Sequence, residues 1–132
     1  MKIKITKKAQ EKELKLLKRK CLKLWSEKVK DRAGRKCEIC GKKRKKWLNA
    51  HHVEDSILNK FLKFDVRNGT CLCPKCHKFG QHSAHKSFCT MFTFMSKKRM
   101  ADFEYLLSHY RDKKKEITKE FLLDKIKELE KT

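Results

Sequence analysis

The sequence predicts a predominantly helical α+β fold stapled by zinc, and three observations point to it. Residues 8–32 run without glycine or proline. Leu14, Leu17, Cys21, Trp25 and Val29 recur there at steps of three and four, which is the stripe of an amphipathic helix. Two Cys-x2-Cys pairs, Cys37/Cys40 and Cys73/Cys76, supply thiolates at the spacing of a tetrahedral site. Between the pairs, only short runs have the apolar character of strands.

The elements follow in chain order. The first helix has a heavily basic outer face, and Gly34 is placed to end it. After the first cysteine pair, Gly41 and a basic loop lead into "WLNAHHV", residues 47–53, a short strand. Residues 53–63 read as a helical turn or an irregular loop. Asn68-Gly69 is a turn signal before a second short strand, and a helix is expected to start near Pro74 to His77. Apolar content rises from Phe88 to Tyr110, with helical spacing in its second half. Thr118 is the expected N-cap of a last helix whose apolar face carries Phe121, Leu122, Ile126 and Leu129. "RDKKKE", residues 111–116, is the expected flexible joint. The chain thus divides into a basic N-terminal helix (1–34), a zinc-clipped core (35–90) and a C-terminal helical extension (91–132).

A chain of 132 residues fits one domain. Hydrophobic residues make up 39% and charged residues 40%, so the core is small and gains from a metal staple. Lys and Arg number 37 against 16 Asp and Glu, a net charge of +21. Self-repulsion of that size opposes compaction, so a polyanionic partner is the simplest reason for it. Nucleic acid fits best, because lysines and arginines on phosphates release counterions. An anionic membrane is the weaker rival. No apolar run suits a spanning helix, and no signal-peptide core follows the basic start. Seven cysteines without a secretion signal argue against a disulfide framework and for the reducing cytoplasm.

The pairing of Cys37, Cys40, Cys73 and Cys76 is read as one structural Zn²⁺ site. Cys71 competes with Cys73, but the two-residue spacing favours Cys73. Cys21 and Cys89 are read as core packing. Residues 41–72 intervene between the pairs, a longer gap than the roughly 15–20 residues of a simple ribbon. That insertion carries the adjacent histidines His51 and His52, together with Asn68. His77 directly follows Cys76. If the two strands pair, His51 or His52 can meet His77 around a second ion. Neutral imidazoles suit zinc, manganese or nickel, and magnesium where phosphate oxygens complete the shell.

The strings "CEIC", "LNAHHV" and "RNGTCLCPKCH", with the continuation "CHKFGQHSAHKS", resemble the HNH endonucleases, in particular small phage-type members, over residues 35–88. The resemblance implies a ββα-metal core flanked by helices. It implies metal-dependent hydrolysis of DNA phosphodiester bonds, by nicking or double-strand cleavage, leaving a 5′ phosphate and a 3′ hydroxyl. It implies His52 as general base and Asn68 as the residue orienting it. His51 and His77 become ligands of a catalytic divalent ion, Mg²⁺, Mn²⁺ or similar. His85 of the "SAH" element is a third ligand, with His82 its rival. Many members carry Asp where this chain has His51.

Lys42, Lys43, Arg44, Lys45 and Lys46 lie between the first cysteine pair and the histidine strand, where contact with the phosphates of duplex DNA is plausible. The phenylalanines and methionines near 88–107 suit a homodimer contact. The alternative to an enzyme is a non-catalytic zinc-stabilised DNA-binding protein whose histidines are extra ligands or surface groups.

Overall fold

A computed structural model describes residues 4–112 and 116–131. It is an α+β structure, mostly helical. Helix α1 spans Lys7–Arg32, strand β1 Asn49–His52 and strand β2 Gly69–Leu72. Helices α2 (Phe88–Lys98), α3 (Met100–His109) and α4 (Lys119–Glu130) follow. The middle of the joint expected at 111–116, residues 113–115, lies outside the described residues.

Helix α1 agrees with its predicted span to one residue. Thr6 caps it, its hydroxyl accepting from the Ala9 N–H at 3.2 Å. Gly34 ends it with φ of +65°. The Gly34 N–H donates to Asp31 O and the Arg35 N–H to Lys30 O, the paired bonds of a Schellman stop. Cys21, Trp25 and Val29 are its buried residues. Helix α4 starts at the expected cap, the Phe121 N–H donating to the Thr118 hydroxyl at 3.1 Å. Its Leu122, Ile126 and Leu129 are buried against the α1 stripe. The two helices run in the same direction, with Lys119 paired to Glu13 near one end and Lys20 to Glu130 near the other. Those exposed pairs add little stability; the apolar seam holds the helices together.

Strands β1 and β2 pair antiparallel, His51 opposite Thr70 and His52 opposite Gly69. β1 is shorter than the run "WLNAHHV" because Trp47 has φ of +73°, which no regular strand accommodates. The Asn68-Gly69 turn takes a different form from the one expected. Asn68 ends a 3₁₀ turn, Val66–Asn68, and Gly69 has an extended φ of −118°. Glycine is needed there for close approach, since a Cβ would sit 2.3 Å from Val29 Cγ2 and 2.9 Å from Trp25 Cζ2. Gly69→Ala is expected to lower stability by about 1–3 kcal/mol in chemical denaturation, through overpacking of α1 on β2. An unchanged midpoint would show that the helix moves away without cost.

The helix expected from Pro74 is also altered. It is one wide turn of π type, Lys75–Phe79, closed by the Gly80 N–H donating to Lys75 O at 2.8 Å. Gly80 then turns extended, with ψ of 155°, and residues 80–87 fold back over the turn. The apolar run from Phe88 forms two helices, α2 and α3, broken at Arg99 (φ −139°, ψ 51°). The Arg99 side chain reaches β2, donating to Gly69 O at 2.7 Å and to the Asp102 carboxylate at 2.8 Å.

Two apolar clusters result. One joins Cys21, Trp25 and Val29 to Phe64, Cys71, Ile117 and the α4 face. The other joins Cys37, Leu62, Leu72 and Cys73 to Met91, Met95 and Leu106. Each fully buried large side chain contributes about 1.5–3 kcal/mol. β2 divides them, Cys71 facing the first and Leu72 the second, because successive strand residues point to opposite faces. Segments 1–34, 35–90 and 91–132 therefore share their cores. Cys21 packs in the core as expected, while Cys89 is exposed on the first turn of α2 instead of buried. Among the described residues, no helix is long and apolar enough to cross a membrane.

Candidate active site

Two knuckles bring the four thiols together. In the first, Gly41 takes φ of +77° and the Gly41 N–H donates to Cys37 O at 2.8 Å, turning the chain back on itself. Glu38 latches this knuckle to β2: its N–H donates to Cys71 O at 2.8 Å and its carboxylate accepts from the Cys71 N–H at 2.6 Å. The second knuckle leaves the end of β2, and the His77 N–H donates to Cys73 O at 2.9 Å. The ligand atoms of Cys37, Cys40, Cys73 and Cys76 lie within 4.8 Å of one another. Cys40 Sγ and Cys73 Sγ are 3.7 Å apart. Tetrahedral thiolates about 2.3 Å from one ion stand about 3.8 Å apart, so this cluster can hold zinc. Burial opposes ionisation of Cys73, but hydrogen bonds from Cys76 and from the Cys40 and Cys37 thiols carry it down to about 7. Cys71, the rival by sequence, faces the other cluster, and burial pushes it up to about 11.

The second cluster is built on the first. Cys76 fixes the turn carrying His77, and the folded-back segment is tied to it by the Ala84 N–H to Cys76 O (2.7 Å) and the His85 N–H to His77 O (3.1 Å). Ser83, 1% exposed, anchors that segment by donating to Lys78 O at 3.1 Å. His85 is thereby laid beside His77, their Nε2 atoms 2.9 Å apart. The His51 ring centroid is 5.2 Å from that of His77 and 5.1 Å from that of His85. One ligand atom of each of the three lies within 4.8 Å of the others. Cis ligands about 2.1 Å from an octahedral ion stand about 3.0 Å apart, so the His77–His85 pair suits an ion with open positions. His82 is outside this group; it lines a different pocket with Cys89 and Thr90, and the Thr90 hydroxyl donates to His82 O at 2.8 Å. Burial, followed by the neighbouring imidazoles, holds His51 down to about 4. Burial and His85 do the same for His77, to about 4, which keeps both lone pairs free for a metal at neutral pH.

His52 ends β1 and faces Trp25, while its neighbour His51 faces His77 and His85. It lines the same cleft of about 610 Å³ as His51, His77 and His85. Its Nε2 is 2.9 Å from the Lys63 carbonyl. A carbonyl only accepts, so Nε2 carries the proton and Nδ1 keeps its lone pair. The ring lies flat on Trp25, centroids 4.0 Å apart and planes 5° from parallel. Trp25 is 2% exposed and donates Nε1–H to Asp65 O at 2.8 Å. Burial lowers the pKa of His52 below the ordinary imidazole value, partly offset by the Lys63 carbonyl.

The Asn68 side chain is hydrogen-bonded to backbone groups and not to His52. Its side chain is fully buried. Its amide donates to Glu54 O at 2.9 Å and Leu62 O at 3.0 Å, and its oxygen accepts from the Glu54 N–H at 2.7 Å. It clamps the loop that carries Lys63, and Lys63 with Trp25 holds the imidazole. Lys42, Lys43, Lys45 and Lys46 are exposed and Arg44 half-buried on the first knuckle. The cations lining the histidine cleft are instead Lys18, Lys60 and Lys63. Lys18 had a signal in the sequence, two helical turns before Trp25 on one face of α1.

No family model, curated protein or solved structure matches the chain. The geometry itself offers three convergent imidazoles and, beside them, a fourth with an available lone pair. Lys18, Lys60 and Lys63 line the cleft that holds them, together with Asp55, and Lys60 is paired with Glu116 at 3.0 Å.

Proposed function

We propose that the chain is a metal-dependent endonuclease of the HNH type, hydrolysing DNA phosphodiester bonds with His52 as general base. The observation that carries this reading is the placement of His52 in one cleft with the converging His51, His77 and His85. The order of strand, strand and helical turn supports a ββα-metal core, and the four thiols a structural Zn²⁺ that holds it. His51, His77 and His85 would hold one divalent ion. Such an ion supplies Lewis acidity to the scissile phosphate and to the leaving 3′ oxygen.

The protein's own groups divide the remaining work. His52 Nδ1 takes a proton from the attacking water, while the Lys63 carbonyl and the Trp25 face fix the ring. Lys18, Lys60 and Lys63 draw the phosphodiester into the cleft and oppose its charge. Asn68 keeps the Lys63 loop in place, as a positioning residue. Three nitrogens without a carboxylate favour manganese, zinc or nickel over magnesium.

The test is incubation of supercoiled plasmid with the zinc-loaded chain and added Mn²⁺, Ni²⁺ or Mg²⁺. Appearance of nicked or linear product that His77→Ala abolishes is expected. Intact plasmid with every ion, despite tight DNA binding, would leave the non-catalytic DNA-binding alternative. Within the nuclease reading, Trp25→Leu keeps an apolar side chain in the core, at some cost in stability, but removes the stack on His52. It is expected to cut kcat about 10-fold with little change in KM, measured on a fluorogenic oligonucleotide. A pure loss of folded protein, with unchanged kcat per folded molecule, would reduce Trp25 to a core residue.

A further inference from the structure

Trp47 is the least explained large side chain in the molecule. It is 73% exposed. It also has φ of +73°, a left-handed backbone that bulky residues avoid. The position has a structural reason: Leu48 packs against both apolar clusters, so the chain must turn sharply just before it. Glycine or asparagine would make that turn more easily. An indole there obtains neither packing nor an easy backbone, so the fold does not account for it.

Its surroundings indicate what it faces. Lys42, Lys43, Arg44, Lys45 and Lys46 precede it, and no acidic residue occurs from Gly41 to Val53. Trp47 is four residues before His51, at most about 14 Å along the chain. At about 3.4 Å per nucleotide, that is within about four nucleotides of a phosphate at the histidine cleft. A basic strip with one projecting aromatic is the chemistry of nucleic-acid backbone contact joined to base stacking. Bases within an intact duplex offer edges to a protein, and their π faces open only where pairing or stacking is interrupted.

We infer that the first zinc knuckle is a recognition element for nucleic acid with an unpaired base near the cut, with Lys42–Lys46 on the phosphates and the Trp47 indole stacked on that base. This deepens the nuclease reading and rests on nucleic acid being the substrate. It names the favoured substrate class as a duplex interrupted by a gap, branch or single-stranded stretch.

The experiment is fluorescence anisotropy with the full zinc-loaded chain and no added divalent ion. The probes are a labelled short duplex, intact or with a short central single-stranded gap, titrated at several salt concentrations. The gapped probe is expected to bind on the order of 10-fold more tightly. Trp47→Ala should bring it to the level of the intact duplex, and Trp47→Phe should retain most of the preference. Trp47→Gly, which relieves the backbone, should lose the preference while folding at least as well as the parent. Lys45→Ala should weaken both probes alike and reduce the salt slope by about 1.

Equal binding of the two probes by the parent chain, or an unchanged preference in Trp47→Ala, would overturn the inference. So would a change of sedimentation from dimer to monomer in Trp47→Ala with DNA binding intact, since the indole would then belong to a protein interface. Failure of the parent to bind either probe would remove the nuclease reading as well. Plasmid cleavage without discrimination between the probes would remove only this inference.

Discussion

Under the proposed nuclease function, His52→Ala is expected to lower the rate of plasmid cleavage about 10³-fold, the ordinary worth of a positioned general base. The reason is specific to one nitrogen. With Nε2–H committed to the Lys63 carbonyl, Nδ1 is the ring atom left to accept a proton. The alanine variant also uncovers one face of Trp25, so some loss of stability accompanies it. His52→Asn controls for this by keeping a planar polar group against the indole. Both variants should bind DNA like the parent, because Lys18, Lys60 and Lys63 remain. The pH profile adds a second readout. Because burial holds the His52 pKa below 6.5, the neutral base predominates at pH 7 and activity should be level there. Activity should fall only on acidification below that value, as the ring protonates. A fall that begins above 7, or an asparagine variant as active as the parent, would place the base elsewhere.

Zinc removal is expected to have the larger effect on the fold. Structural zinc contributes about 10–16 kcal/mol of apparent binding free energy, and a domain of this kind has about 5–15 kcal/mol of net stability. A strong chelator, or Cys73→Ser, should therefore unfold the chain at room temperature. The loss should be cooperative. Cys37 and Cys73 belong to one apolar cluster directly, and the strand leading to Cys73 carries Cys71 into the other. Far-UV circular dichroism should show α1 and α4 melting with the knuckles, and metal analysis one released zinc per chain. Retention of the full helical signal after chelation would show that the two clusters stand without the thiolate site.

Much of the fold was legible because its signals are local. The α1 stripe and its Gly34 stop, the Thr118 cap and the α4 face depend on residues within a few turns of each other. The two Cys-x2-Cys knuckles announced themselves for the same reason. The misreadings have a common cause. Asn68-Gly69 resembles a glycine-enabled turn, yet Gly69 is demanded by Val29 and Trp25 from a helix far earlier in the chain. Cys89 lies in an apolar run, but the start of α2 turns it outward. Asn68 appeared to belong beside His52, whereas its buried amide must satisfy backbone groups of the 54–62 loop, since an unpaired amide there would be costly.

By itself, the amino-acid sequence determined α1 and α4, the thiolate spacing, the basic surplus and the supply of imidazoles, all properties of composition and short-range periodicity. Only the tertiary structure decided that His85 and not His82 joins His51 and His77, and that Trp25 and Lys63 hold His52. Those choices depend on a fold-back over Cys76 and on α1 lying across β2. No local spacing specifies such contacts, because packing brings together residues whose separation along the chain carries no period.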